Sequence, residues 1–319
     1  MRPLAEECET MTPVKTCFLL LLSVLFIAPT VSEVVMSMSD CKGFLLNNKP
    51  PQVPDVVEDD KIQDNNRYKV ICQTYKDERR FVTLYDTKNK IPVFSAYKFT
   101  KPDTGRPDDL WKMEPQLEDM GTDKNMEDND INVEYNNQAG DKDYKEGTAY
   151  DKGHLLPSSY AKSQDDKTST STLTNAVPQV RSFNRGSWAR MEKCVKCVME
   201  KFCVNSNKVI EGYVITGAKP GNSEPVNRRV NVPSLLWSAF CCYSNNKWIA
   251  SAYWGENVKD GADDTILPTN TLTQLYDQLK DGDKRFEAFP GSSCPLVETV
   301  DDLYSQVKND CYCVKKTKS

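Results

Sequence analysis

Ten cysteines downstream of a single apolar run constrain this chain more than any other feature. The run, Cys17 to Ala28, follows Lys15 and precedes Thr30 and Ser32, small residues at the −3 and −1 positions of a cut after Ser32. Residues 1–32 therefore read as a secretory signal. The run is short for a membrane span, and an N-terminal anchor is the alternative. Three acidic residues, Glu6, Glu7 and Glu9, precede the signal pattern, which makes Met11 a candidate start beside Met1. Of twelve cysteines, Cys8 and Cys17 fall in this segment. Cys41, Cys72, Cys194, Cys197, Cys203, Cys241, Cys242, Cys294, Cys311 and Cys313 remain. An even number in an exported chain implies disulfides, whose pairing sequence alone leaves open. The adjacent Cys241 and Cys242 are expected to bond to two separate partners. Cys194-x-x-Cys197 has a spacing that zinc and redox sites also use, but no histidine is near and the compartment is oxidising, so structural bridges are favoured.

Composition excludes some functions. With 39% hydrophobic and 27% charged residues the chain is globular rather than disordered. Its net charge is −5, and −4 without residues 1–32, which hold two basic and three acidic side chains. That is not the balance of a passive nucleic-acid coat. A polyanionic partner would have to be held locally, by a few cations or by a metal. No Asn-x-Ser/Thr sequon is present, so no N-glycan is expected.

Four stretches follow from the pattern: the signal (1–32), an N-terminal arm and Pro-rich linker (33–60), a main domain (61–290) and a Cys-containing tail (291–319). Tyr68 to Tyr75, Phe81 to Tyr85 and Ile91 to Phe99 predict an antiparallel meander. The segment 101–146 is acidic and turn-rich and reads as a solvated loop, since no calcium-loop register is present. Trp188, Met191, Val195, Val198 and Phe202 recur at helical spacing and predict a helix from about Gly186. Further strands are expected at Tyr213 to Thr216, Ser234 to Tyr243 and Trp248 to Tyr253, and a helix at Thr271 to Lys280. The order is α+β, with a mixed or antiparallel central sheet and flanking helices. No second long apolar run follows the first, so no membrane span is expected in the mature chain. Oligomeric state is not legible.

The chain has one histidine, His154, in the run Asp151-Lys152-Gly153-His154. Two further clusters follow: Thr174-Asn175-Ala176-Val177-Pro178-Gln179, and Phe183-Asn184-Arg185-Gly186-Ser187-Trp188 with Glu192. Singly, each has an ordinary reading: a hydrogen-bonded structural imidazole, an Asn184 helix cap, a Glu192–Lys196 helix pair. Together they suit phosphodiester hydrolysis. A neutral imidazole can take a proton from water at neutral pH. An Asn oxygen plus waters can hold magnesium, which would offset charge on the phosphoryl oxygens. Asn184 and Glu192 are about 12 Å apart along a regular helix, which argues against both being direct ligands, although Glu192 leans toward the N-terminal side.

The segments "DKGHLLP", "TNAVPQ" and "FNRGSWARME" resemble the DNA/RNA non-specific endonuclease family, with its ββα-metal active site. The resemblance extends from about Cys72 to about Pro290. It implies an exported enzyme hydrolysing DNA and RNA through backbone phosphate contacts, with magnesium, or manganese in its place, as cofactor. It implies His154 as general base, Asn184 as metal ligand, Glu192 as the acid serving the metal's hydration shell, and Asn175 as an active-site support. Asp151 would fix the geometry of its run. Arg106, before Trp111, is the candidate phosphate contact, and Arg185, Arg190, Arg228 and Arg229 are further cations. Lys152 stands where the family usually has arginine and so lacks the bidentate fork. Val232-Pro233 leads to Trp237-Ser238, where the family often has Trp-Lys. The competing reading is an exported nucleic-acid-binding or interaction protein that keeps the fold with little catalysis.

Overall fold

The computed structural model describes residues 33–105, 110–144, 149–261, 266–304, 306–311 and 313; the apolar run and Arg106 lie outside them. Residues from Ser32 onward belong to one compact unit. Its centre is a seven-stranded sheet made of β1 (Val34–Val35), β2 (Tyr68–Tyr75), β3 (Glu78–Asp86), β4 (Ile91–Phe99), β7 (Gly212–Lys219), β8 (Leu235–Ser244) and β9 (Lys247–Glu256). The spatial order is β1-β2-β3-β4-β7-β8-β9, and every neighbouring pair is antiparallel. Between β4 and β7 the chain leaves the sheet to make a separate hairpin, β5 (Tyr150–His154) and β6 (Ala176–Val180), with helix α1 (Gln164–Thr170) between them. Helix α2 (Ala189–Phe202) follows the hairpin, and α3 (Leu272–Leu279) follows β9.

Alternating side chains explain why the strands read as near-continuous apolar runs. Phe81, Tyr97, Val214 and Phe240 face one core, and their neighbours Val82, Ala96, Ile215 and Ala239 face the other. Antiparallel sheets often leave one face in water; here both are covered. On the first face lie the hairpin and the stripe of α2, whose Met191, Val195, Val198 and Phe202 are buried as their spacing predicts. On the second lie Leu272, Leu275 and Leu279 of α3 and, from the N-terminal arm, Met38, Leu45 and Leu46. Among the described residues, no helix is long and apolar enough to cross a membrane.

All ten cysteines of residues 33–319 are paired: Cys41–Cys72, Cys194–Cys313, Cys197–Cys311, Cys203–Cys242 and Cys241–Cys294. The adjacent Cys241 and Cys242 bond to different partners because consecutive strand residues point to opposite faces. Cys194 and Cys197, one turn apart on α2, bind the C-terminal segment rather than a metal.

The helix start differs from the sequence expectation. Helical backbone begins at Arg181, passes through a wide π-turn at Asn184–Trp188 and only then becomes α2. Gly186, with φ −104° and ψ −112°, breaks the regular winding. Asn184 is itself helical (φ −56°, ψ −48°), so it is not the cap that its position before the apolar stripe suggested. The hairpin was foreseen only through the ββα resemblance and not from local pattern, because Tyr150–His154 has neither alternation nor β-branched residues.

The Cys203–Cys242 bridge closes a loop of sequence separation 39 and ties the end of α2 to β8. Replacing both cysteines with alanine is expected to lower unfolding stability by about 2–4 kcal/mol, read by urea denaturation under non-reducing conditions.

Candidate active site

The three sequence clusters meet in one ββα unit formed by β5, β6 and the helical stretch after β6. Pairing places His154 opposite Ala176 and Asp151 opposite Gln179. Gly153 is required by that pairing: a Cβ there would lie 2.1 Å from Gln179 Oε1 and 2.6 Å from Gln179 Cβ. Gln179 is fully buried, and neither end of its amide has a hydrogen-bond partner.

Asn175 fastens the residues that follow the histidine. It is fully buried; Oδ1 accepts from the Leu156 amide (3.0 Å), and Nδ2 donates to the Leu156 and Thr170 carbonyls (3.0 and 2.9 Å). Its backbone carbonyl accepts from the Leu155 amide at 2.9 Å. With these groups committed to backbone, Asn175 acts on the site by positioning.

Asp151 joins the hairpin to the helical turn. Its carboxylate accepts from Asn184 Nδ2 (3.1 Å), from Arg185 Nε and Nη2 (2.7 and 2.9 Å) and from Arg181 Nε (3.2 Å). Burial raises its pKa, but the hydrogen bonds from Arg185, Asn184 and Arg181 outweigh that and hold it below the usual carboxylate value. Because Nδ2 of Asn184 faces Asp151, the oxygen Oδ1 is the atom left to ligate. A second latch holds the same turn: Asp260 accepts from the Ser187 amide (2.7 Å) and Ser187 Oγ (2.8 Å). A Cβ on Gly186 would come within 2.2 Å of that Asp260 carboxylate.

His154 is half-buried, and its Nε2 is sealed from solvent with no hydrogen-bond partner. Burial, and secondarily the nearby Lys152 charge, lower its pKa to about 4, so the imidazole is neutral at pH 7. The indole of Trp111 packs on it, with ring centroids 4.9 Å apart and planes inclined by 42°. Glu192 lies on the first turn of α2, and its backbone carbonyl accepts from Tyr160 Oη at 3.0 Å. Desolvation pushes its carboxyl up to about 8, against smaller opposing effects of the Trp188 indole and Lys193. Among the described residues no hydrogen bond joins His154, Asn184 and Glu192 to one another.

Among the described residues no group of three or more His, Cys, Asp or Glu side chains could hold a metal ion, so a hard divalent cation here would rely on few protein oxygens and on water. Asn184 offers an oriented neutral oxygen, and Glu192 is a buried carboxyl without a cationic hydrogen-bond partner among the described residues, which a cation would ionise. Magnesium bound there would stabilise developing phosphoryl charge.

The cations foreseen for substrate are differently employed. Arg185 and Arg181 serve Asp151, and Arg190 lies 3.6 Å from Asp260. Arg229 is not an available phosphate contact: its guanidinium is bound to the buried carboxylate of Asp143 (3.0 Å) and the Tyr135 carbonyl. Arg228 is exposed. Lys152 is ion-paired with Asp141. Trp237 packs against Phe286 in the core on the opposite face of the sheet, and Ser238 bonds to Thr216 at 2.9 Å. Sequence reasoning passed over Trp111, Asp141, Gln179 and Asp260 as site residues. All but Gln179 lie outside the three motifs, and only the fold brings them to the hairpin and the turn.

A fold with a large antiparallel sheet and a ββα unit that presents His154 and Asn184 defines a nuclease-type architecture. Residues 63–266 match the model of the DNA/RNA non-specific endonucleases, and the chain belongs to that family. It is similar to the human endonuclease domain-containing 1 protein, with 28% identity over 220 residues, covering 66% of this chain and 40% of the relative. The mouse protein of that name is 29% identical over 180 residues, covering 54% of this chain and 34% of the relative. The chain thus spans less than half the length of these relatives. A nuclease of Nostoc is 30% identical over 92 residues, 28% of this chain and 31% of that one. Among solved structures, a chain of the complex titled "Crystal structure of the EndoG/EndoGI complex: Mechanism of EndoG inhibition" superposes with a TM-score of 0.48 at 19% identity, covering 64% of this chain and 83% of that one.

Gly153→Ala tests the close packing beneath the histidine. The added methyl is expected to cost about 1–3 kcal/mol through overpacking, measured as a lowered urea midpoint with unchanged slope.

Proposed function

We propose that this chain is an exported, metal-dependent endonuclease that hydrolyses DNA and RNA phosphodiesters without strong sequence preference. The observation that supports this most is the state of the only imidazole: neutral, desolvated and set in the same ββα unit as the oriented oxygen of Asn184. The five disulfides favour an extracellular setting.

In this reading His154 takes the proton of the attacking water. Trp111 and the buried surroundings limit solvent access to the ring, and Asn175 fixes the backbone just beyond it. Asn184, held by Asp151, would ligate magnesium and Glu192 would serve its hydration shell; the ion would supply charge stabilisation at the phosphoryl oxygens. Exposed Arg228 is proposed to make a sequence-independent phosphate contact; Arg106 is proposed as another on the strength of the family resemblance alone. Oligomeric state plays no part in this scheme.

A second reading is a catalytically weak relative that binds nucleic acid. It is favoured by the pairing of Lys152, Arg185 and Arg229 with carboxylates. One assay separates the two. Purified protein is expected to nick plasmid and degrade RNA with magnesium but not with EDTA, and His154→Ala should lose at least about 100-fold, within the range of general-base contributions. Equal nicking by wild type and His154→Ala would reject the assigned mechanism. Nucleic-acid binding without cleavage under any metal condition would favour the second reading.

The base must be unprotonated to act, and its pKa is lowered, so protonation sets in only well below the ordinary imidazole value of 6.5. At saturating magnesium the acid limb of kcat/KM is therefore expected between about pH 4 and 5 rather than between about 6 and 7, measured with a short oligonucleotide substrate.

A further inference from the structure

We propose that Trp111 is a positioning residue for His154, and that Lys152 serves this same support rather than contacting substrate phosphate. The proposal rests on the nuclease reading above for its catalytic consequence, but its structural content stands apart from it.

Lys152 and His154 are two residues apart on β5, so their side chains leave the same face of the strand. The indole of Trp111 lies across both. Its ring centroid is 4.9 Å from that of the imidazole and 4.9 Å from Lys152 Nζ. The ammonium is held over the indole by its ion pair with Asp141, and the Lys152 side chain is only 19% exposed. An ammonium above an indole face is attracted by the ring quadrupole, so Asp141, Lys152 and Trp111 form one connected support ending on the histidine ring.

The support is anchored from outside the hairpin. The Trp111 carbonyl accepts from the Asn129 amide at 2.9 Å. Its neighbour Lys112 pairs with Asp128 at 2.6 Å, and the Lys112 amide donates to Ser171 at 2.8 Å. Asp141 sits in a short turn whose Asp143 is buried and bound by Arg229. The acidic segment 101–146 thus carries both Trp111 and the anion that directs Lys152. Among the charged groups, Lys152 faces the imidazole, and Asp141 stands behind it. The strand opposite contributes Ala176, which carries no charge. No described residue shares a hydrogen bond with His154 Nε2, so at that end of the ring the Trp111 packing stands in place of a hydrogen bond. The lysine at position 152 is thus committed to the indole and to Asp141, and it has no bidentate fork to offer phosphate.

The test uses the chain's single histidine, whose imidazole NMR signals need no assignment. In wild type they are expected to titrate well below 6.5. In Trp111→Ala and Trp111→Leu water should reach the ring and move the titration up toward 6.5, while Trp111→Phe should stay near wild type. Nicking by Trp111→Leu should fall in kcat by about 10- to 100-fold, as misplacement of a catalytic group does, with KM changed less than about threefold. Lys152→Met should raise the imidazole titration and leave the salt dependence of nucleic-acid binding unchanged, whereas loss of a phosphate contact would reduce the slope by about one. The proposal is overturned if folded Trp111→Leu titrates like wild type, or if Lys152→Met flattens the salt slope. If the titration shifts appear but even wild type cleaves nothing, the nuclease reading fails and the support of the ring stands. If Trp111→Ala does not fold, the Leu and Phe variants decide.

Discussion

The carboxylate of Asp151 is the junction on which the site depends. It lies on a strand, and its hydrogen-bond donors lie on the helical turn that follows the partner strand. A two-stranded ribbon and a helix have no fixed relative orientation by themselves. One partly buried anion with donors from Arg181, Asn184 and Arg185 sets that orientation and decides which end of the Asn184 amide faces away from it. The anion would be costly to bury alone; the guanidinium groups offset that cost. Ser187 and Asp260 repeat the arrangement from the other side of the turn, so the π-turn is pinned at both flanks.

Much of this was legible in the sequence. The meander, the later strands, the apolar stripe of α2 and the existence of α3 all follow from spacing, because covered sheet faces and amphipathic helices leave strong periodic signals. The motif residues were found through family resemblance. Their partners were not, for a physical reason: a carboxylate such as Asp260, about 70 residues from the turn it latches, differs in no local way from one facing water. The hairpin entered only with the ββα resemblance, because its pattern is set by close packing, Gly153 against Gln179, and not by hydrophobic alternation. The acidic segment read as solvated and in part is, yet it supplies the indole that covers the imidazole.

Charge balance around the site follows the same logic as its packing. An acidic chain offers a polyanion no general positive field. Among the described residues, three cations close to the motif residues are paired with carboxylates: Arg185 with Asp151, Arg190 with Asp260, Lys152 with Asp141. These pairs tie the hairpin, the helical turn and the acidic segment to their neighbours.

The two bridges on α2 have a consequence for biosynthesis. Cys194 and Cys197 pair with cysteines 119 and 114 residues further on. These two bridges can therefore close only once the chain has been made through Cys311 and Cys313. The shorter Cys203–Cys242 bridge can close earlier and hold one end of that helix to the sheet. The two long bridges of α2 are thus the last of the five that the order of synthesis allows to form, so the helix that carries Glu192 can be fastened at its far end before it is fastened near its first turns.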